Sequence, residues 1–132
     1  MKKVFVSICI ASTVLAMFSC RSVEKAIPLS SINGEWNIIE VNGSKVTPGE
    51  SRNLPFITFD TATGRLSGNS GCNRMMGSFD VNAKPGSIDF KGIAGTKMMC
   101  PDMTTERNVL GALAQVKGYK KAGKDKMYLC ND

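Results

Sequence analysis

Two short sulfur-rich segments, SGCNRMMG at residues 70–77 and GTKMMC at residues 95–100, decide how this chain is interpreted. Each segment places one cysteine beside a pair of methionines. Such a pair of segments is compatible with a soft-metal site, with a disulfide between Cys72 and Cys100, or with the signature of a protein family. The sequence on either side of the two segments supplies the context in which these interpretations are weighed.

Alternating apolar residues around the first segment predict antiparallel strands with one buried face. Ile57 and Phe59, for example, share one face of such a strand. Asn42 and Gly43 predict a tight hairpin, because both residues can adopt the positive φ that this turn requires. Pro85 followed by Gly86 predicts a type II turn between two further strands. The predicted strands are residues 36–41, 45–46, 55–60, 78–81, 87–90, 119–122 and 127–130.

The apolar period changes beyond the second sulfur-rich segment. Leu110, Leu113 and Val116 recur at helical spacing with polar residues between them, which predicts one helix over residues 102–117. Gly118 is expected to close this helix in the left-handed conformation. One helix after a series of antiparallel strands indicates an α+β fold.

Histidine is absent from the 132 residues of the chain. Because histidine is the usual general base near neutral pH and the commonest metal ligand, Ser-His-Asp and Cys-His catalytic arrangements are excluded within the chain. The carboxylates lack metal-ligand spacing, and the chain has neither a C-x-x-C motif nor a glycine-rich phosphate loop. We therefore expect no enzymatic activity, no catalytic residue and no cofactor.

The N-terminal residues have the composition of a secretory signal. Two lysines precede an apolar run over residues 4–18, which is about fifteen residues long, whereas a membrane-spanning helix needs roughly 20. Ser19 and Cys20 end this run in a form similar to the lipobox of bacterial lipoproteins, although Met17 stands where an aliphatic residue is usual. Residues 1–19 are therefore predicted to be a lipoprotein signal peptide. The alternative is an ordinary signal peptide, with Cys20 as an unmodified cysteine.

Residues 20–31 are predicted to form the lipidated cysteine and a short polar tether. Acyl chains on Cys20 would anchor the protein because each buried methylene contributes about 0.8 kcal/mol. Similarity to known lipoproteins favours the outer membrane, because Arg21 rather than aspartate follows the cysteine. We expect a monomer in the cell envelope that is held on the periplasmic face of the outer membrane by this lipid.

Positive charge is concentrated near the C-terminus. The formal net charge is +6, and lysine recurs throughout residues 117–126. We interpret these lysines as solubilising and protecting an exposed strand pair. Nucleic acid is not an expected partner of an envelope protein.

Four segments in order, GEW at residues 34–36, GRLSG at 64–68, GCNR at 71–74 and TKMMC at 96–100, together resemble a META domain of the kind found in HslJ-like heat-inducible bacterial lipoproteins. The resemblance assigns residues 32–132 to this domain. It implies a strongly curved antiparallel β-sheet that forms an incomplete barrel around one α-helix. It also links the chain to heat or envelope stress and to antibiotic tolerance, without an established reaction or ligand.

Cys72 and Cys100 remain open to three interpretations. A disulfide is compatible with the oxidising envelope, and it would stabilise the fold by roughly 3 to 4 kcal/mol in the chain-entropy model. As an alternative function, the chain would be a Cu(I)-binding envelope protein whose soft ligands are Cys72, Cys100, Met75 and Met99. Adjacent methionines of a strand point to opposite faces, however, which disfavours a shared site. The third interpretation is a pair of buried thiols.

Four further residues are candidates for a ligand or partner site: Asn73, Arg74, Lys97 and Tyr128. Arg74 has the guanidinium that binds anions bidentately, but it is expected instead to pair with Glu106 or Asp102 at the helix start. Asn73 is expected to support a turn.

Tyr128 lies in the last predicted strand, where resemblance to the family implies one further strand that this sequence does not contain. We therefore expect an edge at which a protein partner adds a strand. The function expected from the sequence is that of a non-enzymatic, lipid-anchored envelope protein that acts in stress tolerance by binding a partner or a small ligand.

Overall fold

The computed structural model describes residues 2–6, 27–48 and 53–131. Of the predicted signal peptide only residues 2–6 are described, and Cys20 lies outside the described residues with most of the predicted tether. Within the described part the chain forms one α-helix, α1 (Thr104–Leu113), a short 3-10 helix (Leu29–Ile32) and nine strands. The strands are β1 (Lys2–Val6), β2 (Gly34–Val41), β3 (Ser44–Lys45), β4 (Phe56–Asp60), β5 (Arg65–Asn69), β6 (Arg74–Phe79), β7 (Phe90–Gly95), β8 (Gly118–Lys121) and β9 (Lys126–Cys130).

All nine described strands belong to one sheet with the order β7-β6-β5-β4-β2-β1-β9-β8, while β3 pairs with β2 outside this order. The strands pair in antiparallel fashion except at β1, which is parallel to both β2 and β9. The predicted α+β fold with a curved sheet in an incomplete barrel is confirmed. The sheet is mixed rather than wholly antiparallel, because the chain's N-terminal residues supply the strand between β2 and β9.

The two ends of the sheet approach each other at one point. Ser87, shortly before β7, forms an isolated bridge with Gly118 at the start of β8. Beside it, the backbone N–H of Tyr119 donates to the carbonyl of Gly86 at 3.0 Å. Among the described strands β7 has a neighbour on one side only, so the barrel remains open along this strand.

The concave face of the sheet and one face of α1 form a common core. Val109 and Leu113 of the helix are buried with Trp36, whose indole nitrogen donates to the carbonyl of Ile32 at 2.8 Å. That hydrogen bond satisfies the polar atom of a side chain otherwise suited to an apolar interior. Trp36 is therefore part of the core.

Local turn chemistry is as predicted in the hairpins. Asn42 and Gly43 have φ values of 51° and 80° and connect β2 with β3. Gly86 has φ 85°, and the backbone N–H of Ser87 donates to the carbonyl of Lys84 at 2.9 Å. These residues form the predicted turn before β7.

The helix is shorter than the predicted range of residues 102–117. Near its start, the Asp102 side chain accepts a hydrogen bond from the Thr104 backbone N–H at 2.8 Å. After it, the Lys117 N–H donates to the carbonyl of Cys130 at 2.7 Å. Because this bond draws the chain into the sheet, Gly118 is the first residue of β8 and does not close the helix as expected.

Strands β6 and β7 also differ from the prediction, which placed them next to the Pro85-Gly86 turn. They extend away from the turn into the sulfur-rich segments, with Met75 opposite Gly95 and Met76 opposite Ala94. Gly77 in β6 and Gly92 and Gly95 in β7 have low strand propensity, which weakens the local sequence signal for these strands. The residues that β6 spans are set by its pairing with β5 and by the burial of Met75 in the core.

Candidate functional site

The two sulfur-rich segments and the start of α1 meet at a buried carboxylate, that of Glu106, whose residue surface is 6% exposed. One carboxylate oxygen accepts hydrogen bonds from the Ser70 hydroxyl at 2.7 Å and from the backbone N–H groups of Cys72 at 3.3 Å and Asn73 at 2.6 Å. The other accepts from the side-chain amide of Asn73 at 2.8 Å. The charge is therefore surrounded by donors.

Asn73 connects this carboxylate to the second segment. Its side-chain oxygen accepts hydrogen bonds from the Met98 N–H at 2.6 Å and the Thr96 hydroxyl at 2.9 Å, and its amide nitrogen donates to the Met98 carbonyl at 3.0 Å. With these bonds and those to Glu106, both hydrogens of the amide are used. Asn73 holds the two segments together and has no donor left for a ligand.

Gly71 lets the first segment lie against the helix. Its φ is 135°, and a Cβ atom there would lie 3.1 Å from the backbone nitrogen of Glu106. A larger residue would combine backbone strain with a tight contact against the backbone of α1. The Ser-Gly-Cys-Asn order thus places the donors around the carboxylate.

Cys72 and Cys100 form a disulfide, with Cα atoms 6.0 Å apart and a sequence separation of 28. A disulfide occupies both sulfurs that the Cu(I) alternative would need as thiolates. Met75 is buried in the core, whereas Met99 is 88% exposed, so the two thioethers do not converge. Among the described residues no group of three or more His, Cys, Asp or Glu side chains could hold a metal ion. Nothing in this arrangement favours copper.

The pKa of Glu106 reflects two opposing effects. Burial raises the pKa of Glu106. Hydrogen bonds from the Asn73 and Ser70 side chains and from the backbone N–H groups of Asn73 and Cys72 lower the pKa by more than burial raises it, so the pKa lies below its ordinary value. The group is therefore held as a carboxylate. A buried anion with every oxygen hydrogen-bonded acts as a structural centre rather than as a general base.

Beside this centre a groove of about 520 Å³ runs along β7 and α1. Met98 and Met99 line it and are 59% and 88% exposed. The remaining lining includes the side chains of Met75, Ile93, Lys97, Met103 and Leu110. The groove thus combines apolar residues and large exposed methionine side chains with one lysine and the polar residues Ser70, Asn73, Thr96 and Glu106.

The structure separates the predicted site residues. Asn73 and Lys97 line the same groove, with Asn73 buried and Lys97 exposed. Arg74 is exposed, and its expected pairing with Glu106 or Asp102 is wrong: the ion pair found within the described residues is Lys117–Asp89, at 3.2 Å.

Tyr128 lies away from the groove on β9, with its ring centroid 5.1 Å from that of Phe5. Strand β9 is not an edge, because β1 and β8 flank it. The terminal strand on that side of the sheet is β8, which carries Lys120 and Lys121 as protecting charges.

Sequence reasoning missed the central role of Glu106. It treated this residue only as a partner for Arg74. The informative signal was its spacing: Glu106 precedes Val109 by three residues and Leu113 by seven, which puts a carboxylate on the buried stripe of the helix. A charge at such a position requires a set of donors nearby.

Comparison with known proteins places this fold in context. A family model described as the META domain matches residues 28–132. The solved NMR structure of a protein from Burkholderia xenovorans is similar, with 28% sequence identity and a TM-score of 0.48, and the match covers 63% of this chain and 61% of that one. The chain thus spans less than two thirds of that structure. No curated protein matches the chain. Among the described residues, no helix is both long and apolar enough to cross a membrane.

Proposed function

Because this chain belongs to the META domain family, we propose that it is a non-enzymatic, lipid-anchored protein of the cell envelope that acts in tolerance of heat or envelope stress. In this proposal it binds apolar segments of unfolded polypeptides in the groove beside β7. The stress role is supported by the resemblance to heat-inducible lipoproteins. Anchoring on the periplasmic face of the outer membrane is supported by the sequence around Cys20.

The observation that carries the binding proposal is the exposure of Met98 and Met99 above the groove. Large apolar side chains exposed side by side mark interaction sites on soluble domains. Methionine is suited to partners of varied shape because its unbranched thioether chain adapts to them. Two hydrogen bonds between Asn73 and Met98, one donated by the Asn73 side-chain amide and one by the Met98 backbone N–H, fix the backbone that presents both side chains.

An extended polypeptide segment is the occupant that fits this surface best. Strand β7 beside the groove is a terminal strand of the sheet within the described residues. Terminal strands accept extended segments through backbone hydrogen bonds, while adjacent apolar surface takes up alternate side chains. Lys97 at the groove adds positive charge, which favours segments that carry an acidic residue next to the apolar ones.

The test is binding of a permanently unfolded probe, reduced and carboxymethylated α-lactalbumin, to the purified protein by fluorescence anisotropy. Replacing both groove methionines, Met98→Lys with Met99→Lys, should weaken binding by about tenfold or more, which is about 1.4 kcal/mol or more. Met76→Lys is the matched control, because Met76 is also 59% exposed but does not line the groove. It should leave the affinity within about twofold of the original, a change of about 0.4 kcal/mol.

No binding by the unaltered protein, or equal affinities in all three proteins, would contradict the groove as the binding site. Binding of small apolar molecules with no binding of the unfolded probe would point to a small-ligand carrier instead. Copper added in stoichiometric amount should not change the affinity, since both cysteine sulfurs are in the disulfide.

A further inference from the structure

Strand β1 occupies a slot between β2 and β9 and runs parallel to both. The two strands that flank the slot do not pair with each other in the described sheet. Their facing N–H and C=O groups are paired through β1. A sheet with this slot empty would present two adjacent unpaired strand edges, an arrangement that attracts another strand.

The side chains of β1 complete the hydrophobic core. Val4 and Val6 are 0% and 2% exposed. Val4 lies opposite Ile38 on one side and Met127 on the other, and Val6 lies opposite Leu129. Two β-branched residues at alternate positions therefore fill the interior of the slot.

Lys2 and Lys3 give the first end of β1 a positive charge, and this end of the slot is called its entrance. Lys2 lies with its ammonium 5.2 Å from the ring centroid of Trp36, and it shares a surface depression with Glu35 and Asp125. The backbone N–H of Lys3 donates to the carbonyl of Asp125 at 2.7 Å. The end of the slot at Lys2 therefore places two carboxylates and an aromatic ring around a cationic residue.

Strand β1 lies outside the part of the chain that matches the family. The match begins at residue 28, whereas β1 ends at Val6. The matched region therefore contains both walls of the slot but not the strand that fills it. Cleavage ahead of Cys20, a part of the proposed function on which this inference rests, would separate β1 from those walls.

We infer that the slot between β2 and β9 is a strand-acceptor site. The chain's own residues 2–6 fill it before the N-terminal part is removed, and an extended segment of another polypeptide fills it afterwards. That segment runs parallel to β9, begins with a cationic residue and carries apolar β-branched residues at two alternate positions. Recognition is by strand addition, so backbone hydrogen bonds supply much of the affinity and the two apolar positions supply specificity.

The experiment uses the full chain with a protease site introduced within residues 7–26. After folding, the chain is cut, the freed N-terminal peptide is removed under denaturing but non-reducing conditions, and the remaining fragment is refolded with a fluorescent peptide of residues 1–8. The matched peptide carries Val4→Asp with Val6→Asp. A third peptide carries Lys2→Glu.

The original peptide should form a complex with one peptide per chain, seen by native mass spectrometry and anisotropy. The doubly substituted peptide should bind about 100-fold more weakly or not at all, because it would place two carboxylates in the core. The Lys2→Glu peptide should bind more weakly at low salt, since Glu35 and Asp125 lie at the entrance.

Three results would overturn the inference: refolding without uptake of the original peptide, equal binding of the original and doubly substituted peptides, or failure to refold with either. Peptide uptake by the cut chain does not depend on processing in the cell. If the protein from membranes retains residues 2–6 while the cut chain binds the peptide, the lipoprotein proposal fails and the acceptor site stands. If the protein from membranes lacks residues 2–6 and the cut chain does not bind the peptide, the acceptor site fails and the lipoprotein proposal stands.

Discussion

Asn73 and Glu106, 33 residues apart in the sequence, are joined by two hydrogen bonds, from the Asn73 backbone N–H at 2.6 Å and from its side-chain amide at 2.8 Å. Each bond reaches a different carboxylate oxygen. The pair therefore fixes the helix start against the loop that precedes β6. Because Asn73 also bonds to Met98, the same pair determines where the groove wall lies.

Replacing Glu106 with glutamine should destabilise the protein by about 2 to 3 kcal/mol, because charge-assisted hydrogen bonds are lost and one amide nitrogen must face donors. Urea denaturation measures this change. Glu35→Gln is the control, since Glu35 is exposed, and it should change the stability by no more than about 0.5 kcal/mol. An equally small effect at Glu106 would show that its buried bonds do not stabilise the fold.

The same carboxylate should make stability depend on pH. Its pKa in the folded state lies below the ordinary value of 4.5 that applies in the unfolded chain. The unfolded state therefore binds the proton more readily, so the contribution of Glu106 is complete above pH 4.5 and is lost as the pH falls through the lower folded-state pKa. Urea midpoints across this range should show the difference between the original protein and Glu106→Gln shrinking in acid. A constant difference at all pH values would contradict this assignment.

Removing the disulfide by Cys72→Ser with Cys100→Ser should cost about 3 to 4 kcal/mol of unfolding free energy, given the separation of 28 residues. Reductant should lower the stability of the original protein by a similar amount and leave the double variant unchanged. If both proteins respond equally to reductant, its effect does not act through this bond.

Two glycine-to-alanine changes should have opposite effects. Gly71→Ala places a Cβ atom 3.1 Å from the Glu106 backbone nitrogen at a φ of 135°, and it should destabilise by about 1 to 3 kcal/mol. Gly111→Ala lies in α1 with no atom within 4 Å of the new Cβ, and it should stabilise by about 0.5 to 1 kcal/mol. Thermal unfolding of both variants tests the pair, and a shift in the same direction would contradict the described positions.

The lipid anchor can be examined through intact mass. Protein extracted from membranes should begin at Cys20 and carry the mass of acyl chains, whereas Cys20→Ser, which has no thiol to acylate, should lack this added mass. A soluble, unmodified form as the main species of the original protein would end the lipoprotein proposal.

Local chemistry made the hairpins predictable. Asn42-Gly43 and Pro85-Gly86 prefer their turn conformations within a few residues of sequence, and the structure has both turns. The apolar spacing of Leu110, Leu113 and Val116 likewise indicated the helix, although its last predicted residues lead into the sheet. The turns and the helix could be predicted because each depends on residues that are close together in the sequence.

Pairing between distant residues was not predictable in the same way. Residues 2–6 have the composition of a signal peptide start, and nothing local indicates that they lie parallel to β2 and β9. The donors around Glu106 come from a loop more than thirty residues earlier, so the residue looked like a surface acid. In both cases the partners are brought together only by the folded sheet.

The parallel position of β1 also sets the order in which the fold can be completed. Residues 2–6 are synthesised well before the strand beside them, Lys126–Cys130. The sheet cannot close around β1 until residues 126–130 have left the ribosome, because contacts of such long sequence separation form only after the intervening chain exists. Until then, residues 2–6 remain accessible to whatever machinery recognises nascent chains.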